Sequence, residues 1–342
     1  MSGTTVPEQT TPDLLDRRWW HGVVDLEALP EGAVRTWRYP YQDRRYDIGI
    51  SWGSVPAGAR IAFTTTATRM HLELLPDTTI SDTPCPVDIV IDGDHAHRLP
   101  SDQPATVDLP TAPGKPVTVE IWLPQYGCTG VRCLALVGDD TPEPVAPHTR
   151  RWTTHGSSIT MNRQADGPYT TWPARVATSL GLELTNLGYA GTAVFDHPVA
   201  RLIGALPADV ISLCLGINVH HMLTHDLRSL LPAVMGFVET VRDGQPDTPI
   251  LVISPIACRP QRDVPNDLGL SISGIRDAVH DGVERVQQAT GDTNLHLLDG
   301  RELLGPDDLD LLVDDVHPGD AGCAQMAERI MPRLASLLDQ LA

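Results

Sequence analysis

The sequence predicts two folded units: an antiparallel β-sandwich over residues 1–147 and an α/β domain with a parallel sheet over residues 148–342. Three observations support that division. A chain of 342 residues is long for one hydrophobic core, and cores stop growing near ~250–300 residues. Up to about Val137 the helical period is scarce, and short runs alternate apolar with polar residues at roughly ten-residue spacing. After Pro147, apolar runs alternate with helix-period segments, the pattern of a parallel sheet covered on both faces.

Taken in order, residues 1–20 read as a frayed tail that begins to order near Trp19-Trp20. Strands are expected at Arg60–Thr64, Met70–Leu74, Val87–Gly93 and Val117–Leu123, where side chains alternate with period two. Asp92-Gly93-Asp94 and Ala112-Pro113-Gly114-Lys115 carry turn chemistry. Gly138–Pro147 combines acidic residues with Pro142, Pro144 and Pro147, which predicts a linker without a packed element. Beyond it, strands are expected at Trp152–Thr154, Leu182–Asn186, Val210–Leu215, Ile250–Ser254 and Leu295–Leu298. Helices are expected at Tyr169–Leu180, Leu227–Arg242, Ser271–Thr290 and Ala321–Leu341. In the second of these, Leu227, Leu230, Leu231, Val234, Phe237 and Val241 form one apolar stripe.

Charge narrows the partners. Forty-four acidic residues against 25 basic ones give a net charge of −19. Nucleic acids and anionic membranes draw their affinity from lysine and arginine, so neither is an expected partner. No apolar stretch approaches the ~20 residues of a spanning helix. The segment Met1–Glu8 has neither a basic head nor an apolar run, so a cytoplasmic protein is expected. Cys85, Cys128, Cys133, Cys214, Cys258 and Cys323 include no CxxC pair; free thiols are the expectation, with a Cys128–Cys133 bridge as the alternative.

Four short signatures follow the linker in a fixed order, each at a predicted strand end or before the last helix. They are Gly156-Ser157-Ser158-Ile159-Thr160, Asn186-Leu187-Gly188-Tyr189-Ala190-Gly191-Thr192, Gly216-Ile217-Asn218 and Asp314-Asp315-Val316-His317-Pro318. Ligands of such sheets bind beyond the carboxyl ends of the strands. A glycine before a hydroxyl on a strand-to-helix turn can present Ser158 at that edge. A serine hydroxyl is a poor nucleophile at neutral pH and needs a histidine base, which in turn needs a carboxylate to orient it. His317 and Asp314 supply both from one turn. A developing oxyanion needs fixed donors, and the N–H groups of Ser158 and Gly191 with the Asn218 side-chain amide form the natural set.

Other polar residues are weaker candidates. His220, His221 and His225 cluster; an i, i+4 histidine pair can hold zinc, but no glutamate follows in the HExxH manner, and no metal is expected. His220 and His221 are instead candidates to line a pocket beside Asn218. His155 reads as a packed strand residue, and His95 and His97 as solvated ones. Asp315 is the second choice for the orienting acid. The segment Cys258-Arg259-Pro260-Gln261-Arg262, with Arg259 as its first candidate, could hold an anionic or polar part of a substrate, and Trp122 and Tyr126 of the Trp122–Gly127 segment could touch one.

The order of the four signatures, with Leu215-Gly216-Ile217-Asn218 and Ser254-Pro255-Ile256, resembles the SGNH or GDSL family of serine esterases and acyltransferases over about residues 150–342. The resemblance implies a flavodoxin-like three-layer α/β/α sandwich. It also implies an acyl-enzyme on Ser158, a Ser158–His317–Asp314 triad, and oxyanion donors from Ser158, Gly191 and Asn218. Two positions depart from the family pattern: Ser157 stands for the usual aspartate of Gly-Asp-Ser, and Val219 for the acid that often follows the asparagine. A sandwich ahead of this domain resembles carbohydrate esterases with an N-terminal jelly roll and GDSL-type acyltransferases of polyketide and tetracycline tailoring. That plan implies a small-molecule acyl donor and a hydroxyl acceptor, no resident cofactor, and acyl-CoA as a candidate co-substrate. O-acyl ester hydrolysis is the alternative. The acyl group, the acceptor and the oligomeric state stay open.

Overall fold

The computed structural model describes residues 9–43, 45–46, 52–77, 85–112, 115–138 and 141–340. Two compact units divide these residues. One takes residues 9–41, 53–147 and 167–169; the other takes described residues of 42–52 together with 148–166 and 170–340.

In the first unit, one antiparallel sheet runs Asp25–Ala28, Val34–Trp37, Cys128–Val137, Arg69–Pro76, Ala105–Asp108 in spatial order. The other runs Glu143–Pro144, Arg60–Thr65, Val117–Trp122, Val87–Ile91, Asp94–Leu99. Alternation along the strands turns Ile61, Phe63, Ile89, Val119 and Ile121 of one sheet and Met70, Leu72, Leu134 and Leu136 of the other into a single core, which is the β-sandwich. Asp92 and Gly93 both hold positive φ, as a type I′ hairpin turn requires. Three expectations change here. The tail is not frayed from Gln9 onward: Gln9 and Thr10 pair with Val137 and Leu136, and Leu14 is buried; Met1–Glu8 lie outside the described residues. The linker contains a strand, because Glu143 and Pro144 pair with Thr64 and Phe63 at a sheet edge. Proline is tolerated there because an edge position leaves its missing N–H without consequence. Asp139 and Asp140 of the linker, and Pro113 and Gly114 of the turn, lie outside the described residues.

The second unit is α/β. Its strands are β1 (Arg150–Gly156), β2 (Leu182–Gly188), β3 (Val210–Cys214), β4 (Ile250–Ile253) and β5 (Leu295–Leu298), all parallel, in the spatial order β2-β1-β3-β4-β5. Its helices are α1 (Ser158–Met161), α2 (Trp172–Leu180), α3 (His197–Ala205), α4 (Ile217–Met222), α5 (Leu227–Gly244), α6 (Ile272–Thr290) and α7 (Asp320–Asp339). α2 and α7 pack on one sheet face, where Trp152, Leu184, Val210 and Leu251 meet Trp172, Val176, Met326 and Ile330. The opposite face is covered by α5, whose Phe237 stacks on His155 at 5.5 Å; α3 and α6 pack beside α5. Three layers result, as in flavodoxin-like folds. α3 and α4 were not among the expected helices. α2 starts at Trp172, not Tyr169, because Thr171 caps it by accepting the Ala174 N–H at 3.3 Å. Among the described residues no helix is long and apolar enough to cross a membrane.

The strand order reverses between β1 and β3. Side chains at the carboxyl ends of those two strands therefore meet in a crevice that no crossover helix covers. That topology selects the position of the site.

Candidate active site

β1 ends at Gly156, where a Cβ would run into Thr160 Oγ1 and Cys214. Only glycine fits this approach, and α1 starts two residues later. Ser157 caps α1, its hydroxyl accepting the Ile159 N–H at 3.1 Å. Serine and aspartate cap comparably, so Gly-Ser-Ser keeps the helix start that Gly-Asp-Ser would give. Three further bonds hold α1. Trp172 Nε1 donates to Ile159 O at 2.9 Å, Asn186 Nδ2 donates to Thr160 O at 3.0 Å, and the Trp172 N–H donates to Asn162 Oδ1 at 2.9 Å. Ser158 is thereby presented half-buried on a fixed turn.

His317 and Asp314 come from the segment before α7. Its ends pair Leu312 with Pro318, and the Val313 N–H donates to His317 O at 2.9 Å. Ser158 Oγ lies 2.8 Å from His317 Nε2, and His317 Nδ1 lies 2.7 Å from Asp314 Oδ2. With Nδ1–H donating to the carboxylate, Nε2 is left as the acceptor for the serine proton. Asp314 Oδ1 accepts the N–H groups of Val316 and His317, each at 2.8 Å. Partial burial pushes the Asp314 carboxyl up, but those two N–H groups and the His317 ring outweigh it and hold it below the ordinary value. Asp315 points elsewhere, accepting from Gln261 Nε2 at 2.7 Å.

Gly191 has a φ of +72°, in the left-handed region. Gly216, with φ +102°, starts α4 and brings Asn218 into its first turn. Asn218 is buried, and its Oδ1 accepts the Ala193 N–H at 3.1 Å. That bond fixes the amide and leaves Nδ2 as its donor. Ser158, Gly191, Asn218, His317 and Asp314 line one cavity of about 480 Å³, a size typical of small-molecule sites.

The remaining candidates divide. His220 and His221 line this cavity; His220 Nε2 is anchored to Val264 O at 2.8 Å. Partial desolvation, then the charges of Arg262, His220 and His317, lower the pKa of His221 and favour its neutral form. α4 ends at Met222 with Leu223 in the left-handed region, so His221 and His225 do not share a helical face and the zinc spacing loses its geometry. Arg259 departs from its expected role: it does not line the cavity. Its guanidinium donates to Asp314 O at 3.0 Å and Leu312 O at 3.1 Å, bracing the segment that carries His317. Trp122 also departs from expectation. It is 1% exposed, lies under Arg60 at 4.9 Å, and donates its Nε1–H to Glu120 at 2.9 Å. Tyr126 is half-buried in the sandwich unit, and neither residue is among those lining the cavity. His95 is not simply solvated either, since its Nε2 lies 2.9 Å from the buried Asp88 carboxylate. All six cysteines are free, so the Cys128–Cys133 alternative is not formed.

Trp52, Arg163, Ile217 and Ile272 also line the cavity and were not among the sequence candidates. Of the segment expected to hold an anionic or polar part of a substrate, Arg262 is the residue that lines the cavity, whereas Trp52 carries no local signal because only the fold brings it to the cavity of Ser158.

Residues 154–325 match the GDSL-like lipase/acylhydrolase family, and residues 19–131 match the N-terminal domain of SsfX3. Among solved structures, salicylyl-acyltransferase SsfX3 from a tetracycline biosynthetic pathway is similar at 27% identity and a TM-score of 0.83, with 97% of each chain covered. A protein described as a GDSL-like lipase, from Bacteroides ovatus, is similar at 22% identity and TM-score 0.78 over 97% of this chain and 98% of that one. A family two carbohydrate esterase from Cellvibrio japonicus shares the fold at 16% identity and TM-score 0.68, over 98% and 100%. No curated protein matches the sequence.

Proposed function

This chain belongs to the GDSL-like lipase/acylhydrolase family, and on that premise we propose that it is a serine-dependent acyltransferase. It moves an acyl group, with acyl-CoA as a candidate donor, to a hydroxyl of a small-molecule natural product such as a polyketide. The observation that carries the chemistry is the hydrogen-bonded line from Ser158 Oγ through His317 to Asp314, at 2.8 and 2.7 Å, opening into a cavity. Support for transfer comes from the likeness to a salicylyl-acyltransferase over 97% of both chains.

In this reading Ser158 Oγ attacks the donor carbonyl while His317 Nε2 takes its proton. The N–H groups of Ser158 and Gly191 and the Asn218 amide stabilise the oxyanion. The Ser158 N–H is the first of α1 and has no acceptor within its own helix. The intermediate collapses, the donor's thiolate or alkoxide leaves with the proton from His317, and the acyl group stays on Ser158. The acceptor hydroxyl then attacks, giving its proton to His317, and Ser158 is released with its hydrogen restored. Asp314 holds the ring and steadies the imidazolium. If water is the second nucleophile, the same groups make an O-acyl esterase.

Brief exposure to a panel of acyl donors followed by intact-protein mass measurement tests the reading. The acyl mass should appear on the protein and be absent from Ser158→Ala, which should also take no fluorophosphonate label. Adding candidate alcohols then separates the two outcomes: ester product without prompt free acid supports transfer, and free acid alone supports hydrolysis. An unmodified wild-type protein with every donor and probe would remove the serine mechanism.

A further inference from the structure

The cavity inverts the charge of the chain. The chain carries a formal −19, yet the titratable residues lining the cavity are Arg163, Arg262, His220, His221 and His317, with Asp314 as the one lining carboxylate among the described residues. Asp314 is already committed to His317 and its own loop. Several arginines of this unit are tied down, Arg259 and Arg276 to backbone carbonyls, Arg175 to Asp320 and Arg329 to Asp308, while Arg201 and Arg228 are exposed and do not line the cavity. Arg262 is different. It is half-buried, and among the described residues its guanidinium has no hydrogen-bond or ion-pair partner. The nearest acid in sequence, Asp263, accepts the Ser273 N–H at 2.7 Å instead. The Arg262 backbone is held by its own turn, its N–H donating to Arg259 O at 2.8 Å. A fork of donors without a partner, lining the same cavity as Ser158, suits a planar anion.

We propose that Arg262 is a specificity-determining residue and that the cavity takes acyl groups bearing a carboxylate, which the guanidinium grips. The inference rests on the serine reading above, since it assigns the anion to the acyl half. The acyl group is the part that stays in the cavity through both steps, so a contact there acts on acylation and deacylation alike. The phosphates of a carrier such as coenzyme A lie a full pantetheine arm from the thioester carbonyl, too far to share a cavity of about 480 Å³ with it.

The experiment compares glutaryl and pentanoyl thioesters of N-acetylcysteamine, which differ by a terminal carboxylate and carry no phosphate, with release of free thiol as the readout. Wild-type protein should favour the glutaryl thioester in kcat/KM. Arg262→Gln should cut that preference by about 10–100-fold, the range of a charge-assisted hydrogen bond, and Arg262→Lys should retain part of it. The ratio is insensitive to partial misfolding, which lowers both rates together. A wild type without preference for the glutaryl thioester, or a ratio unmoved in Arg262→Gln, overturns the proposal. Thiol release undiminished in Ser158→Ala would instead sink the serine reading, so the two failures are distinguishable.

Discussion

Replacing Asn218 by alanine removes two side-chain groups, the proposed oxyanion donor and an observed acceptor, whose effects can be measured apart. The first is the Nδ2 donor assigned to the oxyanion. Deleting one such donor costs about 10²–10³ in kcat, roughly 2.7–4 kcal/mol. The second is Oδ1, which accepts the Ala193 N–H at 3.1 Å in a residue that is 4% exposed. Losing it leaves a buried N–H unpaired and should cost about 1–3 kcal/mol of stability. A donor used only as charge develops acts on kcat and leaves KM nearly unchanged. Steady-state kinetics on an activated ester with a parallel thermal melt therefore separate the roles. Asn218→Asp sharpens the contrast: it keeps an acceptor for Ala193 but places a negative charge where the oxyanion forms, so its kcat should fall further while its stability falls less. A kcat within about threefold of wild type in Asn218→Ala, or a loss carried wholly by KM, would refute the assignment.

Two more outcomes follow from the same geometry. The Asp314 carboxyl titrates below its ordinary value of 3.8, so its hold on the His317 segment is complete above that pH and is lost as pH falls through the lowered value; the Tm gap between wild type and Asp314→Asn should be constant above about pH 4 and close in stronger acid, and a gap already closing near neutrality would contradict this. Gly156→Ala should cost about 1–3 kcal/mol by overpacking and displace Ser158, because its Cβ meets Thr160 and Cys214; a melt and activity matching wild type would show the turn can relax.

Much of the fold was legible because its signals are local. Period-two runs such as Val117–Trp122 record which side of an element is buried, and so does the α5 stripe at Leu230, Val234, Phe237 and Val241, although its first member, Leu227, lies 69% exposed at the start of the helix. The parts misread are those whose partners are remote. Nothing near Gln9 or Pro144 announces that Val137 and Phe63 will pair with them. Arg259 and Arg262, three residues apart in one charged segment, are indistinguishable as text; the fold spends the first on the carbonyls of Leu312 and Asp314 and leaves the second facing the cavity.

By itself the sequence determined the chemical parts and their order, since a hydroxyl, an imidazole, a carboxylate and glycines with unusual backbone freedom are properties of residue type. What only the tertiary structure decided is distance. Ser158 and His317 stand at opposite ends of the α/β unit in sequence, and they meet at 2.8 Å because the strand order reverses beside β1 and the segment before α7 closes over the same edge. Side-chain pairing across so many residues follows from how sheet and helices pack, and no local pattern encodes it.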